Sequence, residues 1–304
     1  MSRGGKKRSP LRNLLWFVLV LCSLPFFLFD GAFICEHRPI PFSEPENPQG
    51  MGVYVINMER SADRRASILQ QVEQLGFPWE RMAVDGSLLS AEEIDRIVDN
   101  DVFRVIQWRP IKKGELGCFL SHAQVWKTFL QSSYQYALVF EDDVQFDVKK
   151  LREVLFELMQ TPVDWDIVSF EIDNNRGMPL TLRRLKTGDR LVIYLGVALH
   201  MGAYLISRKA AASLFSHTFP IKMPSDVFYT RGWEFDLKFT GVEPILASQV
   251  FPQSEIDTMD LRRRDSPDTL SQMRLWVRKR VLKMKSNVMR FLYNLKLYFQ
   301  YHQS

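Results

Sequence analysis

Residues 137–147, Ala-Leu-Val-Phe-Glu-Asp-Asp-Val-Gln-Phe-Asp, constrain this chain more than any other stretch. Ala137 to Phe140 is a short apolar run suited to a buried strand. It stops at three consecutive carboxylates, Glu141, Asp142 and Asp143. Adjacent acids repel one another and cannot all stay charged and buried without a counter-ion. A strand that delivers carboxylates to the open edge of a sheet is how an α/β fold presents ligands to a divalent cation. A period of two puts Glu141 and Asp143 on one face and Asp142 on the other. Two readings follow. One is an acid-x-acid pair holding Mg²⁺ or Mn²⁺ against a diphosphate. The other is a solvated turn, with an Asp as N-cap of a helix from about Val148.

The chain has 304 residues, enough for one large α/β domain or two small ones. Its formal charge of +5 is concentrated at the two ends. No acid precedes Asp30, whereas Arg3, Lys6, Lys7, Arg8 and Arg12 do, and no acid follows Asp268. Basic ends suit an anionic partner, and a membrane surface fits better than nucleic acid, because no zinc-type or nucleic-acid-binding motif is present. Three widely spaced cysteines, Cys22, Cys35 and Cys118, imply no disulfide framework.

Four regions are expected. Residues 1–35 combine a basic start with the apolar run Leu14 to Phe29, short for a membrane span and broken by Pro25. A signal-anchor helix, a cleaved signal peptide and a true start at Met51 are the competing readings. Residues 36–50 hold Pro39, Pro41, Pro45 and Pro48, a stiff linker. Residues 51–260 alternate strands and helices, which argues for an α/β domain with a mostly parallel sheet. Strands are expected at 52–58, 81–84, 165–170, 191–195, 203–206 and 243–247. Helices are expected to about Leu75, at 90–98, 114–131, 149–159 and 207–216, with a short one opening at Pro224, and 173–188 reads as a mobile polar loop. In residues 261–304, Val277, Val281, Met284, Val288, Phe291, Leu295 and Tyr298 recur in steps of four and three, with Lys and Arg on the flanks. That pattern predicts an interfacial helix on an anionic bilayer, with a helix docked on the domain or in a coiled coil as the alternatives.

Several segments together resemble glycosyltransferase family 25, which includes lipooligosaccharide and procollagen galactosyltransferases. Val53-Tyr54-Val55-Ile56-Asn57-Met58-Glu59-Arg60-Ser61 with Asp63-Arg64-Arg65 is similar to its opening motif, and Ala83-Val84-Asp85-Gly86 to its second. Gly114 to His122 is similar to the third, Phe140 to Val144 to the acidic motif, and Gly202 to Ser207 with Ala210-Ala211 to the later block. Pro224-Ser225-Asp226 stands where the family has another acid. The resemblance covers about Met51 to Ile256.

It implies a GT-A fold, a nucleotide-sugar donor (UDP-galactose first), a glycan or glycolipid acceptor, Mn²⁺ or Mg²⁺, and inverting transfer. Glu141 and Asp143 would hold the metal, and Asp142 would contact the donor. Asn57 and Arg60 end the first strand, where open α/β sheets bind nucleotides, although Arg60 could be a plain surface arginine. Asp85 and Gly86 are nucleoside contacts or an ordinary turn. His122 orients the donor or is a structural histidine, with Cys118 as packing on the same helix. Asp226 is the candidate base, with a plain N-cap role as its alternative and Asp173, Glu171 and Glu234 as competitors. Rival functions are a non-catalytic glycan- or partner-binding domain and a metal-dependent phosphoryl-transfer enzyme. Donor supply and the basic tail favour the cytoplasmic face of a bacterial inner membrane; in a eukaryote, a type II protein of the secretory lumen is the alternative.

Overall fold

The computed structural model describes residues 50–172, 177–250 and 269–303. The N-terminal apolar run, the linker and Asp173 lie outside them. Among the described residues no helix is long and apolar enough to cross a membrane.

The acidic strand sits at the centre of the architecture. It is β3, Tyr136–Glu141, flanked by parallel β1 (Met51–Ile56) and antiparallel β8 (Ala203–Ser207). The eight-stranded sheet runs β2 (Trp79–Met82), β1, β3, β8, β5 (Ile167–Ser169), β9 (Phe239–Glu243), β7 (Arg190–Tyr194), β6 (Pro179–Arg184). The expected alternation of strands and helices is present. Parallel pairing is confined to β2–β1–β3 and β5–β9, because β8, β7 and β6 enter antiparallel. β4 (Val144–Phe146) and β10 (Ala247–Gln249) pair separately.

Strand parity sorts the core into two layers. Val53, Val55, Leu138 and Phe140 face Ile68, Val72 and Leu75 of α1 (Ala62–Leu75) and Leu151, Val154 and Leu158 of α5 (Val148–Met159). Each such buried side chain contributes roughly 1.5–3 kcal/mol. On the opposite face, Tyr54 meets Phe129 of α4 (Lys113–Gln131) edge-on, with ring centroids 6.3 Å apart. Ala137, Val139 and Glu141 share that second face, so the strand aims its first carboxylate at α4. Two short helices precede α4: α2 (Ala91–Ile97), with a Ser90–Glu93 capping box, and α3 (Asn100–Gln107), which the sequence pattern missed and which Asp99 caps.

Arg208, the first residue of α6 (Arg208–Ser216), closes the far end of α4. Its Nη1 donates to the carbonyls of Phe129, Ser132 and Tyr134, and its Nη2 donates to Leu130 at 2.5 Å. Carbonyls at a helix end have no partner inside the helix, and only a planar fork reaches several at once. Arg208→Met is expected to cost about 2–4 kcal/mol, and Arg208→Lys to recover only part of it, as read from denaturant midpoints.

Three expectations change. Within the expected 173–188 loop, Pro179–Arg184 form β6, because Arg183 finds Glu157 and Asp164 at 3.4 Å and Leu182 and Leu185 are buried. The late strand at 243–247 is instead the break between β9 and β10, since Pro244 has no N–H for a ladder. The tail forms the long helix α9 (Thr269–Gln303), and it docks on the domain through a largely polar face that takes in Tyr298 at the border of the apolar stripe. Arg231 Nη1 donates to Ser286 at 3.3 Å, Asn294 Nδ2 to the Tyr194 carbonyl at 2.7 Å and Tyr293 to Asp236 at 3.0 Å. Leu297, Tyr298 and Tyr301 pack on the core. Polar partners on the domain satisfy polar residues of the helix, and these bonds select the docked face.

Candidate active site

The C-terminal ends of β1 and β3 carry the site. Parallel pairing sets Ile56 level with Glu141, so Asn57 falls beside Asp142. Asn57 Nδ2 donates to Asp142 Oδ2 at 2.7 Å and to the Ser61 carbonyl at 3.0 Å, tying β1, the α1 entrance and the acids together. Arg64, in the first turn of α1, adds an ion pair to Asp142 Oδ1 at 3.4 Å. Burial raises the Asp142 carboxyl above its usual range in spite of both partners.

Glu141 faces the other way. Its Oε1 meets His122 Nε2 at 3.0 Å and the Cys118 thiol at 3.6 Å. His122 has no exposed surface, and its Nδ1 lies 3.1 Å from the Tyr204 hydroxyl, which accepts a bond from Trp126 Nε1 at 3.1 Å. Both ring nitrogens of His122 are thus met, Nδ1 by a hydroxyl and Nε2 by a carboxylate. Burial pushes the Glu141 carboxyl up, but the His122 bond and field, the Cys118 thiol and the field of His200 outweigh it, and it ends below its usual range. Cys118, pushed well up by burial and then by Glu141, remains a neutral thiol.

Asp143 has no such support. Its Oδ1 is buried and has no hydrogen-bond partner, as is Asn57 Oδ1 nearby in the chain of contacts. Burial first, then Glu141 and Asp142, drive its carboxyl up to about 7 against the pull of Arg64. A buried carboxylate oxygen among acids is costly unless a cation meets it. The residues therefore fit a hard divalent ion, which takes oxygen ligands.

Asp226 opens α7 (Ser225–Tyr229), and its Oδ1 accepts from the Val227 amide at 2.7 Å. Burial raises it, and the fields of His200 and Glu141 both act on it, so the fold brings it into the electrostatic reach of the acidic strand. Glu171, its sequence competitor, is buried; Oε1 lies 3.2 Å from His200 Nδ1 and Oε2 accepts the Gly202 amide at 3.0 Å. A Cβ at position 202 would stand 2.2 Å from that oxygen, so a side chain there would displace the Glu171 carboxylate. Glu234 is taken by an ion pair with Arg231.

In the loop after β2, Asp85 Oδ2 pairs with Arg60 Nη1 at 2.8 Å, and Asp85 Oδ1 accepts the Ser87 amide at 2.9 Å. Gly86 is required by packing: a Cβ there would lie 2.0 Å from the Lys113 carbonyl. Ser121 holds the same loop, accepting the Val84 amide at 2.8 Å. The structure thus gathers Asn57, Glu141, Asp142 and Asp143, links Arg60 to Asp85, and sets His122 behind Glu141 rather than in the cleft. Sequence reasoning passed over Arg64 as part of a motif and missed His200, whose backbone is left-handed (φ 77°) in a stretch without periodicity.

Comparison with known proteins adds an independent line. The family model for Glycosyltransferase family 25 (LPS biosynthesis protein) matches residues 51–229, more than half of the chain. Procollagen galactosyltransferase 1 of Danio rerio is 32% identical over 134 residues, 41% of this chain and 22% of that protein. Procollagen galactosyltransferase 1-A of Xenopus laevis is 28% identical over 202 residues, 62% of this chain and 32% of its own length. Probable inactive glycosyltransferase 25 family member 3 of Rattus norvegicus is 26% identical over 248 residues, 73% of this chain and 43% of the relative. The match thus spans less than half of each of these relatives. On a match that runs from Met51 to Tyr229, over more than half of its length, the chain belongs to glycosyltransferase family 25.

Proposed function

We propose that the protein is a metal-dependent, inverting glycosyltransferase that moves a hexose, galactose first, from a UDP-sugar to a hydroxyl of a glycan or glycolipid, as in the building of cell-surface glycans. The observation that carries the reading is the buried, unpartnered Asp143 oxygen at the C-terminal end of a central strand. Family membership and relatives named as galactosyltransferases support it.

Asp143, with Glu141, would hold Mn²⁺ or Mg²⁺, which when bound neutralises charge on the departing nucleoside diphosphate. Asn57 and Arg64 fix Asp142 where it can accept from donor hydroxyls. Arg60 and Asp85 form the nucleoside end. His122, through Trp126 and Tyr204, locks the rotamer of Glu141. Asp226 takes the proton of the acceptor hydroxyl on a carboxylate oxygen, and a carboxyl raised by burial is the stronger base. A second reading, donor binding without turnover, is favoured by the relatives named as probably inactive.

The test is a donor screen with UDP-galactose, UDP-glucose and their N-acetyl forms, with and without Mn²⁺, against glycan acceptors. Acceptor-dependent UDP release that needs Mn²⁺ is expected with one donor above the others. Tight donor binding with no release would establish the binding role instead. Release of inorganic phosphate without an acceptor would point to phosphoryl transfer.

A further inference from the structure

The docking of α9 leaves its original puzzle in sharper form. The helix uses Ser286, Tyr293, Asn294, Leu297 and Tyr298 against the domain, so the exposed members of the apolar stripe, Val277, Met284, Val288 and Phe291, point outward together with Leu292 and Phe299. Phe299 is 53% exposed and Leu292 57% exposed. At 100° per residue these six lie within one arc, opposite the docked face. Exposed cations border that arc: Arg274, Arg278 and Lys296 on one side, Arg280 and Lys283 on the other. Thr269 to Ser304 contains no acid at all.

A contiguous apolar stripe of this kind marks an interaction surface. A protein partner groove could cover the apolar residues, but it gives no reason for cations on both borders and none for the total exclusion of acids. A bilayer gives both, since acyl chains take the apolar arc and anionic headgroups flank it. The helix cannot instead cross the bilayer, for it is not apolar enough. We infer that α9 is a two-faced bracket: one face is bonded to the glycosyltransferase domain, and the other lies on an anionic lipid surface. The domain is then held at the membrane in one orientation, since Arg231, Tyr194 and Asp236 fix the helix on it. The inference does not depend on the catalytic reading.

The test uses the full chain and vesicles of phosphatidylcholine with or without phosphatidylglycerol, some carrying brominated acyl chains. Trp276 stands on the flank of the helix, about 60° beyond Phe291 at 100° per residue, and is 46% exposed. Brominated anionic vesicles are expected to quench tryptophan emission, and Trp276→Phe is expected to lose a clear share of that quenching, whatever Trp16 in the N-terminal segment contributes. The Val288→Glu/Phe291→Glu protein should bind anionic vesicles about tenfold or more weakly, with its circular dichroism unchanged. Salt should weaken binding of the wild type. Quenching equal in wild type and Trp276→Phe overturns the proposal. So does equal binding to neutral and anionic vesicles. A wild-type dimer in solution that Phe291→Glu splits into monomers also overturns it, because the stripe would then be a subunit contact.

Discussion

Asp143→Asn is expected to lower transfer on the order of a thousandfold, the equivalent of about 4 kcal/mol, while the fold persists. The shape is conserved and one cation-binding charge is removed. Stability should move in the opposite direction from activity. Burial, Glu141 and Asp142 raise this carboxyl to about 7 in the folded protein, against about 4 in an unfolded chain. Between those values the unfolded chain gives up a proton that the folded one keeps. The metal-free protein therefore loses stability as pH rises from about 4 to about 7. Asp143→Asn removes that loss, on the order of 2–4 kcal/mol, and should melt higher than wild type at pH 8 in EDTA. Adding Mn²⁺ should raise the wild-type melting point and leave that of Asp143→Asn unchanged. Near-normal transfer by Asp143→Asn, or melting points that Mn²⁺ shifts equally, would remove the cation site.

Asp226→Asn should separate turnover from binding. A base acts as the acceptor proton leaves, so turnover is expected to fall by roughly 10²–10⁴, with donor affinity within about threefold of wild type. Single-turnover transfer and donor titration read the two quantities independently. Should donor affinity collapse while bound donor is still turned over, Asp226 is a donor ligand. Glu171, which is held by His200 and the Gly202 amide, would then be the next carboxylate to examine.

The place of the acidic strand in the fold was legible because a buried apolar run is a strong constraint. The apolar run Ala137 to Phe140 had to be buried, which put the acids at the end of a strand, whereas the contact of Glu141 with His122 came only from the structure. The pairing of Asn57 with Asp142 followed from two strands ending level, which no local pattern encodes. His200 stayed hidden because its partner Glu171 is 29 positions away and nothing near it repeats. In β6 the arginines suggested loop, since their acidic partners come from α5 and the segment after it. The tail shows the same limit from the other side. Counting apolar residues found the stripe, but docking was decided by Ser286 and Asn294, whose partners lie on the domain.

One helix touches both the loop after β2 and the acidic strand. Gly117 of α4 lies against Gly86, and a Cβ there would come within 2.8 Å of the Val84 carbonyl. Ser121 accepts the Val84 amide, and its immediate neighbour His122 holds Glu141. The nucleoside loop and the acidic strand are thus clamped to adjacent turns of a single rod, which works as a fixed calliper. Under the proposed donor reading, the span between the two would be set by α4, through Gly117, Ser121 and His122, rather than by either loop alone.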